Sequence, residues 1–250
     1  MKVKETVVVE VLKIEGVYKS FSDGICALTD VSFSVKSGEF LLIAGSNGSG
    51  KTVLMNLIAG LDEPTEGRIQ VEGHAGLVFQ DADCQILGET PYEDVAFGVK
   101  NQGVKKTEIK DKVEEALSQC GILHKKDSQA RTMSGGEKRR LAVAGIVAMN
   151  RDLIIFDEPF ANLDYPGVKN VCRILKQLKE EKKTVLVLTH ETEKILGLCD
   201  RMIVLDKGKI RFDGTPLEGL KQNLEDWSIR NPFGSGTEPS EEKLKELLWL

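Results

Sequence analysis

A glycine-rich segment between an apolar run and an amphipathic run constrains the fold of this chain more than any other feature. The segment reads GSNGSGKT and occupies residues 45–52. Residues 40–44 before it are all apolar, which predicts a buried parallel strand. Residues 51–59 carry apolar side chains at helical spacing. Such a loop binds phosphate when it joins a strand to a helix, so we predict an α/β fold around a phosphate-binding loop.

The residue types of this loop suit a chain of phosphates. Gly45, Gly48 and Gly50 lack a Cβ, so they can take positive φ and let the backbone pass close to a phosphate. The backbone N–H groups then form a nest for anions at the positive end of the following helix. Lys51 should reach the β- and γ-phosphates, and the Thr52 hydroxyl should ligate Mg²⁺. The predicted nucleotide contacts from this segment are Gly45, Ser46, Asn47, Gly48, Ser49, Gly50, Lys51, Thr52 and Val53.

Two acidic residues follow a second apolar run, residues 153–156, which also predicts a buried strand. In a phosphate-loop ATPase, a carboxylate in the position of Asp157 holds Mg²⁺ directly or through water. The next residue, Glu158, can act as the general base that polarises the attacking water. Taken alone, the pair could equally be a solvated turn before Pro159. The phosphate-binding loop upstream favours the catalytic interpretation.

Two further polar residues end predicted strands. His190 follows the strand predicted at residues 185–189, at the carboxyl edge where open α/β sheets bind ligands. Its neutral ring could contact the γ-phosphate and orient the water. Gln80 follows the strand predicted at residues 76–79, and its side-chain carbonyl could ligate Mg²⁺. The predicted catalytic residues are therefore Lys51, Glu158 and His190, and the predicted metal ligands are Thr52, Gln80 and Asp157.

The pattern of strands and helices divides the chain into regions. Residues 7–43 hold several β-rich runs separated by turns, the first at residues 7–14, which predicts an N-terminal antiparallel β-subdomain. Residues 81–150 are mostly helical and predict an inserted α-helical subdomain. One helix is predicted to start at Thr90–Pro91, and a second at Thr107 with an apolar face of Ile109, Val113, Ala116 and Leu117. Strands and helices then alternate, as in a parallel sheet with crossover helices. We predict one domain over residues 1–220 and an appended C-terminal segment over residues 221–250. The segment should end in a short helix over residues 241–250, with Leu244, Leu247, Leu248 and Trp249 as its apolar residues.

The composition limits the classes of partner. A net charge of −5 gives no electrostatic reason to expect nucleic-acid binding. The longest uncharged apolar run, residues 141–149, is too short to cross a bilayer, and the N-terminus has no pattern of a signal peptide. The five cysteines are scattered, which suits a reducing cytosol. We therefore expect any link to a membrane to run through a partner protein.

The motifs, taken in order, resemble those of the ATPase subunit of an ABC transporter. They are GSNGSGKT at 45–52, Gln80, MSGGEKR at 133–139, LIIFDE at 153–158, NLD at 162–164 and His190. The resemblance covers about residues 5–215. It implies hydrolysis of ATP to ADP and phosphate, with Mg²⁺, by a head-to-tail dimer that holds two ATP molecules between its subunits.

Further site residues are implied by that resemblance. Ser134, Gly135 and Gly136 match the signature turn that faces the phosphate loop of the partner subunit. The turn begins a helix, so its donors and dipole can complete the cage around the γ-phosphate. Asp164 matches an aspartate of the dimer interface that couples the two sites. Phe21 lies where such proteins place an aromatic ring on adenine, with Tyr18 as a substitute.

Within this family, residues 76–103 resemble the importers of the energy-coupling-factor (ECF) type and the related cobalt and nickel importers. Gln80 and the EDVAFG run at 93–98 carry this likeness. It implies uptake of a vitamin or a transition-metal ion. It also implies two ATPases at the cytoplasmic face of the membrane, docked through residues 81–87 on an integral membrane coupling protein beside a substrate-binding membrane subunit. The appended C-terminal segment would help the ATPases dimerise.

Two departures from the commoner family pattern bear on the partner. Met133 and Glu137 replace a commoner Leu and Gln, and Glu137 would place a carboxylate near the nucleotide of the partner. Residues 160–162 also differ from the usual sequence. These departures favour a heterodimer with a second ABC ATPase, while a homodimer remains open. The alternative functions are a soluble ABC-type ATPase that acts on DNA or the ribosome, and a phosphate-loop kinase of small substrates, in which the signature would have no role.

Overall fold

The computed structural model describes residues 9–22, 24–234, 238–247 and 249. Its strands are, in chain order, β1 (Glu10–Ser20), β2 (Cys26–Lys36), β3 (Phe40–Ala44), β4 (Glu66–Val71), β5 (Ala75–Val78), β6 (Leu153–Asp157), β7 (Thr184–Thr189), β8 (Arg201–Asp206) and β9 (Lys209–Gly214). Its α-helices are α1 (Lys51–Ile58), α2 (Pro91–Asn101), α3 (Lys106–Gln119), α4 (Gly135–Ala148), α5 (Tyr165–Glu180), α6 (Pro216–Gly219) and α7 (Glu241–Glu246). Short 3₁₀ turns lie between several of these elements.

The larger sheet has six strands in the order β5-β6-β7-β3-β8-β9. Strands β5, β6, β7, β3 and β8 run parallel to one another. Ala44 at the end of β3 pairs with Thr189, and Asp157 at the end of β6 pairs with Leu188. The phosphate loop, Glu158 and His190 therefore follow strand ends at one edge of the sheet, where open α/β sheets bind ligands.

The edge strand β9 differs from the parallel strand predicted by the alternation. It pairs with β8 in the antiparallel direction, Ile203 with Asp213 and Val204 with Phe212. Only Lys207 and Gly208 separate the two strands. A connection this short makes a hairpin, whereas a parallel pair needs a crossover of a dozen or more residues. The sheet is therefore mixed, and parallel except at this edge.

The smaller sheet contains β2, β1 and β4 in antiparallel order. The strand predicted at residues 7–14 is longer than expected, since β1 continues to Ser20, and residues 7 and 8 lie outside the described residues. Buried residues of this sheet pack with α1 and with Leu41 and Ile43 of β3. The alternate residues Phe40 and Leu42 face the core formed by the helices on the other side of the larger sheet.

The region predicted to be helical contains α2, α3 and α4, which pack on one another. Helix α2 begins as the sequence indicates, because the Thr90 side chain accepts a hydrogen bond from the Glu93 backbone N–H and Pro91 occupies the first turn. Helix α3 buries Ile109, Val113, Ala116 and Leu117 along the face expected from their spacing, and it starts one residue before the predicted Thr107. These helices lie between β5 and β6 in the chain.

The C-terminal segment contains a shorter helix than predicted, since α7 ends at Glu246. Leu244, Leu247 and Trp249 pack against the main core. Leu248, also expected on its apolar side, lies outside the described residues. The Trp249 ring contacts the Tyr165 ring, with centroids 5.9 Å apart. The segment therefore ends beside the first residue of α5.

Candidate active site

The three glycines shape the phosphate loop, but only two of them do so through the positive φ that the sequence predicts. Gly48 and Gly50 have φ of 79° and 105°, as expected. Gly45 does not take a positive φ, so that part of the prediction is wrong. A Cβ on Gly45 would lie 2.5 Å from both the Leu205 carbonyl oxygen and the Ser49 Oγ. Glycine is therefore needed at position 45 for space and not for backbone conformation.

Lys51 begins α1 and is buried. Its Nζ donates hydrogen bonds to the carbonyl oxygens of Gly45, at 2.7 Å, and Ser46, at 3.1 Å. The same Nζ lies 3.4 Å from Glu158 Oε1. The loop and the helix thus bring a positive charge to the carboxylate that the sequence predicts as general base.

Asp157 ends β6 with a carboxylate that is only 4% exposed. The Thr52 hydroxyl donates to this carboxylate, while Asp157 Oδ1 has no hydrogen-bond partner. Burial and then the neighbouring Glu158 charge raise the pKa of Asp157 to about 6, against the opposing effects of Lys51, Thr52 and Arg139. A buried carboxylate oxygen without a partner is costly, and a bound cation would satisfy it.

Glu158 is held by the strand next to its own. Thr189 Oγ1 donates to Glu158 Oε2 at 2.8 Å, and His190 Nδ1 lies 3.0 Å from Glu158 Oε1. Burial raises the pKa of Glu158, but the contacts with His190, Thr189 and Lys51 outweigh it, so that this pKa is lowered overall. Glu158 also has φ of 43°, a strained conformation of the kind found at functional sites. Sequence reasoning missed Thr189, for which the only signal was its place one residue before His190.

One cavity of about 640 Å³ brings most of the predicted residues together. The predicted residues that line it are Phe21, Asn47, Gly48, Gly50, Lys51, Thr52, Val53, Gln80, Glu158 and His190. Its other lining residues, which the sequence did not indicate, are Ile25, Cys26, Ala27, Lys207 and Gly208. Phe21 is 42% exposed at its mouth, whereas Tyr18 lies within β1 and does not line it. Of the two aromatic candidates, the geometry favours Phe21.

Two glycine-containing backbone segments that line the cavity approach the carbonyl oxygen of Ala27 closely. A Cβ on Gly208 would lie 2.5 Å from this oxygen, and one on Gly50 would lie 2.7 Å from it. The Gly208 N–H donates to the Ser49 carbonyl, and the Thr29 N–H donates to the Gly208 carbonyl. The antiparallel sheet, the phosphate loop and the β8–β9 turn therefore meet in direct backbone contact.

The Ser134–Gly135–Gly136 turn lies outside this cavity. Ser134 caps α4, and Ser134 and Gly135 are exposed. Gly135 and Gln80 instead line a second cleft of about 330 Å³. The chain thus presents the phosphate loop and the signature turn on separate sites, with Gln80 lining both.

The Glu137 carboxylate is engaged by groups of its own chain. Its Oε2 accepts a hydrogen bond from the Ser134 backbone N–H at 2.9 Å, and its Oε1 lies 2.6 Å from Lys125 Nζ. Together with the Ser134 hydroxyl these contacts form a capping box at the start of α4. The Lys125 contact and the backbone bond lower the pKa of Glu137 to about 2. The carboxylate is used within the chain, so its charge no longer indicates an altered partner site.

Asp164 caps the next long helix. Its Oδ1 accepts a hydrogen bond from the Gly167 backbone N–H at 2.9 Å, and this bond starts α5. Asp164 does not line the nucleotide-sized cavity. Asn162 and Leu163, just before it, line the second cleft with Gly135.

The donor set fits Mg²⁺. Thr52 and Gln80 line the cavity, and the Asp157 carboxylate, whose Oδ1 has no hydrogen-bond partner, contacts Thr52. These are oxygen donors, which Mg²⁺ prefers, and it usually shares a few protein ligands with the phosphates of a substrate. In the part of the chain that the structure describes, no three His, Cys, Asp or Glu side chains cluster as a metal site made by protein alone.

A buried lysine at a glycine-rich loop after β3, and an Asp–Glu pair at the end of β6, two strands away in the same sheet, define a phosphate-loop ATPase. A family model described as ABC transporter matches residues 28–161. The chain is 37% identical over 241 residues to the energy-coupling factor transporter ATP-binding protein EcfA1 of Streptococcus sanguinis. The match covers 90% of this chain and 86% of the EcfA1 chain. The chain therefore belongs to the ABC transporter family as an ATP-binding protein with ATPase activity.

Solved structures agree with this assignment. The cbiO1 protein of Clostridium perfringens, part of the ABC transporter complex cbiONQ, matches with a TM-score of 0.78 and 32% identity over 90% of this chain and 96% of that chain. A dimeric ATP-binding cassette in a post-hydrolysis state, bound to ADP and Pi, matches with a TM-score of 0.74 and 28% identity over 82% of this chain and 98% of that chain. The predicted family, fold class and ATPase activity are confirmed. Within the described residues, no helix is long and apolar enough to cross a bilayer.

Proposed function

We propose that this chain is the ATP-hydrolysing subunit of a membrane importer of the ECF type. The observation that carries the catalytic part is the arrangement around Glu158, whose carboxylate contacts His190, Thr189 and Lys51 at the wall of the cavity. The likeness to EcfA1 and cbiO1 supports the importer. Its cargo would be a vitamin or a transition-metal ion.

In this proposal ATP lies in the cavity with its phosphates on the backbone of residues 45–53. Phe21 at the mouth would stack on adenine. Lys51 would exchange its carbonyl contacts for the β- and γ-phosphates, since a phosphate is the stronger acceptor. The helix dipole of α1 adds positive potential at the same place.

Glu158 would act as the general base. Its lowered pKa keeps it ionised at neutral pH, and its contact with His190 fixes the orientation of both side chains. Thr52, Asp157 and Gln80 would hold Mg²⁺, which neutralises charge on the β- and γ-phosphate oxygens. The Ser134–Gly136 turn of a partner subunit would supply the remaining donors to the γ-phosphate.

The signature turn of one chain lies outside its own cavity, which supports a dimer with a second ABC ATPase. Asp164 would lie at that interface, and Trp249 contacts the residue next to it, so the C-terminal segment would lie beside the interface. We favour a homologous ATPase as the partner. Glu137 no longer supports this preference, which now rests on Met133 and on residues 160–162.

The chain would be peripheral at the cytoplasmic face of the membrane. Residues 81–87 would contact an integral membrane coupling protein, with a substrate-binding membrane subunit in the same complex. Leu87 in this segment is 72% exposed, which suits a docking surface. Purification from membranes should recover these subunits with the chain, and recovery with DNA or ribosomes would contradict the importer.

The Glu158→Gln variant tests the catalytic assignment. Glutamine keeps the shape of the side chain but cannot take a proton from water, so kcat should fall by about 10²–10⁴-fold while ATP binding is retained. Steady-state phosphate release and binding of a fluorescent ATP analogue would measure the two effects. Glu115→Gln, on an exposed position of α3, is the matched control. Hydrolysis by Glu158→Gln at the wild-type rate would show that another group is the base.

A further inference from the structure

Arg139 is a buried charge that the catalytic proposal does not use. It lies in the second turn of α4 and is 5% exposed. Its Nη1 donates to the Phe79 carbonyl at 3.2 Å, and its Nη2 donates to the carbonyls of Gln80, at 2.6 Å, and Ala161, at 3.5 Å. A buried guanidinium with main-chain carbonyls as acceptors holds backbone in place, because its planar fork fixes the direction of each bond.

The three carbonyls belong to segments that border the active site. Phe79 and Gln80 follow β5, and the Gln80 side chain lines both the cavity and the second cleft. Ala161 lies in the loop after β6, where its N–H donates to the Glu158 carbonyl at 3.1 Å. One side chain therefore joins α4 to the segment of Gln80 and to the loop that follows Glu158.

The charges around Arg139 are consistent with a fixed cation. Burial lowers the pKa of Arg139, while the negative charges of Asp81 and Asp157 oppose this shift. An arginine stays protonated even when buried, so the positive charge remains in place during the reaction. Lys138, the preceding residue, pairs instead with Asp83 at the surface. Arg139 alone of these two reaches the backbone of Gln80.

We propose that Arg139 is a positioning residue for ATP hydrolysis, which ties the helix of the signature turn to Gln80. The inference rests on the proposed role of Gln80 as a ligand at the nucleotide. A displacement of α4 would then move the Gln80 backbone. Arg139 moves with α4, and its guanidinium is bonded to the Gln80 carbonyl. In the proposed dimer, the signature turn of this chain faces the nucleotide bound by the partner, while Gln80 faces the nucleotide bound by this chain. Arg139 would thereby link the two nucleotide sites.

A double-mutant cycle tests the link between the two residues. Arg139→Met keeps the apolar stem and removes the hydrogen bonds. In the full chain, assembled with the ATPase subunit with which it pairs, we expect kcat to fall by about 10–100-fold with little change in KM for ATP. Gln80→Ala should give a loss of similar kind. Because Arg139 acts through Gln80, the double variant should be no slower than Gln80→Ala alone.

Each other outcome overturns a defined part of the proposal. Losses that multiply in the double variant would show that Arg139 acts independently of Gln80. A wild-type rate for Gln80→Ala would remove both the proposed role of Gln80 and this inference. Arg173→Met, at an exposed position of α5 where the arginine bonds to Asn170, makes the same chemical change and should leave kcat unchanged.

Arg139→Lys separates positioning from folding. A lysine keeps the charge but cannot bond to all three carbonyls in a fork, so its kcat should lie between those of wild type and Arg139→Met. The Mg²⁺ concentration at half-maximal rate should rise in the same order, and thermal unfolding would show that the compared variants are folded. A folded Arg139→Lys with the same kcat and Mg²⁺ dependence as Arg139→Met would assign the effect to charge burial alone and overturn the inference.

Discussion

Asp157 is the residue whose acidity its surroundings change most within the active site. Its neighbour Glu158, one position along the chain, has its pKa lowered, while that of Asp157 is raised to about 6. The difference arises because the contacts with His190, Thr189 and Lys51 outweigh burial at Glu158, whereas burial and the Glu158 charge outweigh the contacts of Asp157. Two adjacent carboxylates thus suit different tasks, one ready to accept a proton and the other to accept a cation.

The raised pKa predicts that Asp157→Asn stabilises the fold when Mg²⁺ and nucleotide are absent. At pH 8 the ionised carboxylate costs free energy of folding, so the variant should be more stable by on the order of 1–2 kcal/mol. The gain in stability of Asp157→Asn over wild type is fully present above a pH of about 6 and decreases as the wild-type Asp157 takes up a proton. It disappears below pH 3.8, the pKa of this carboxyl in the unfolded chain. Thermal unfolding in EDTA at pH 8 and pH 5 would measure it.

The same variant should lose the stabilisation that Mg²⁺ and ATP give to the wild type, because binding to the folded state alone raises stability. Asp111→Asn, on an exposed position of α3, is the control for the change of charge. An Asp157→Asn variant that is less stable than wild type at pH 8 in EDTA would show that the buried carboxylate is not a cost to the fold.

At the scale of the element, the start of α4 matters most. The helix begins at an exposed turn, and its first N–H groups are satisfied by Ser134 and Glu137. Lys125, from the turn after α3, holds the outer oxygen of Glu137. Because the pKa of Glu137 is about 2, these contacts persist at any pH at which the protein would be assayed. The geometry of the signature turn therefore depends on an acid outside it.

Glu137→Ala should destabilise the protein by about 1 kcal/mol, since it removes half of the capping box. Glu137→Gln keeps an acceptor for the Ser134 N–H and loses only the ion pair with Lys125, so its effect should be smaller and equal to that of Lys125→Met. Thermal unfolding and kcat would be measured for all three. A Glu137→Gln variant that changes KM for ATP more than Glu137→Ala would instead support a carboxylate that faces the nucleotide.

The elements were predictable where one local signal decides them. Neighbouring residues alone predict the glycine-rich loop between β3 and α1 and the Thr90–Pro91 start of α2. The direction of β9 was predicted wrongly, because the alternation of elements suggested a crossover although the two-residue turn permits only a hairpin. The contacts of Thr189 and Arg139 were missed since their partners lie on other elements. The contact of Glu137 with Lys125 was missed for the same reason, as Lys125 lies in a different turn.

At the scale of the whole molecule, the separation of cavity and signature turn leads to the last prediction. Glu158→Gln with ATP and Mg²⁺ should remain a monomer on its own and form a closed dimer when a homologous ABC ATPase is added. Sizing chromatography would measure this, with the same mixture in ADP as the control. A closed homodimer of the variant alone would overturn the preference for a heterodimer while leaving the dimeric mechanism intact.

The close backbone approach at Ala27 has a consequence for the evolution of such chains. Gly208 belongs to the β8–β9 turn, Gly50 to the phosphate loop and Ala27 to the antiparallel sheet, yet no side chain fits between them. A substitution at position 208 would push β2 away from the loop unless the sheet shifted at the same time. An N-terminal sheet taken from a relative is therefore expected to fit only together with the matching turn between β8 and β9.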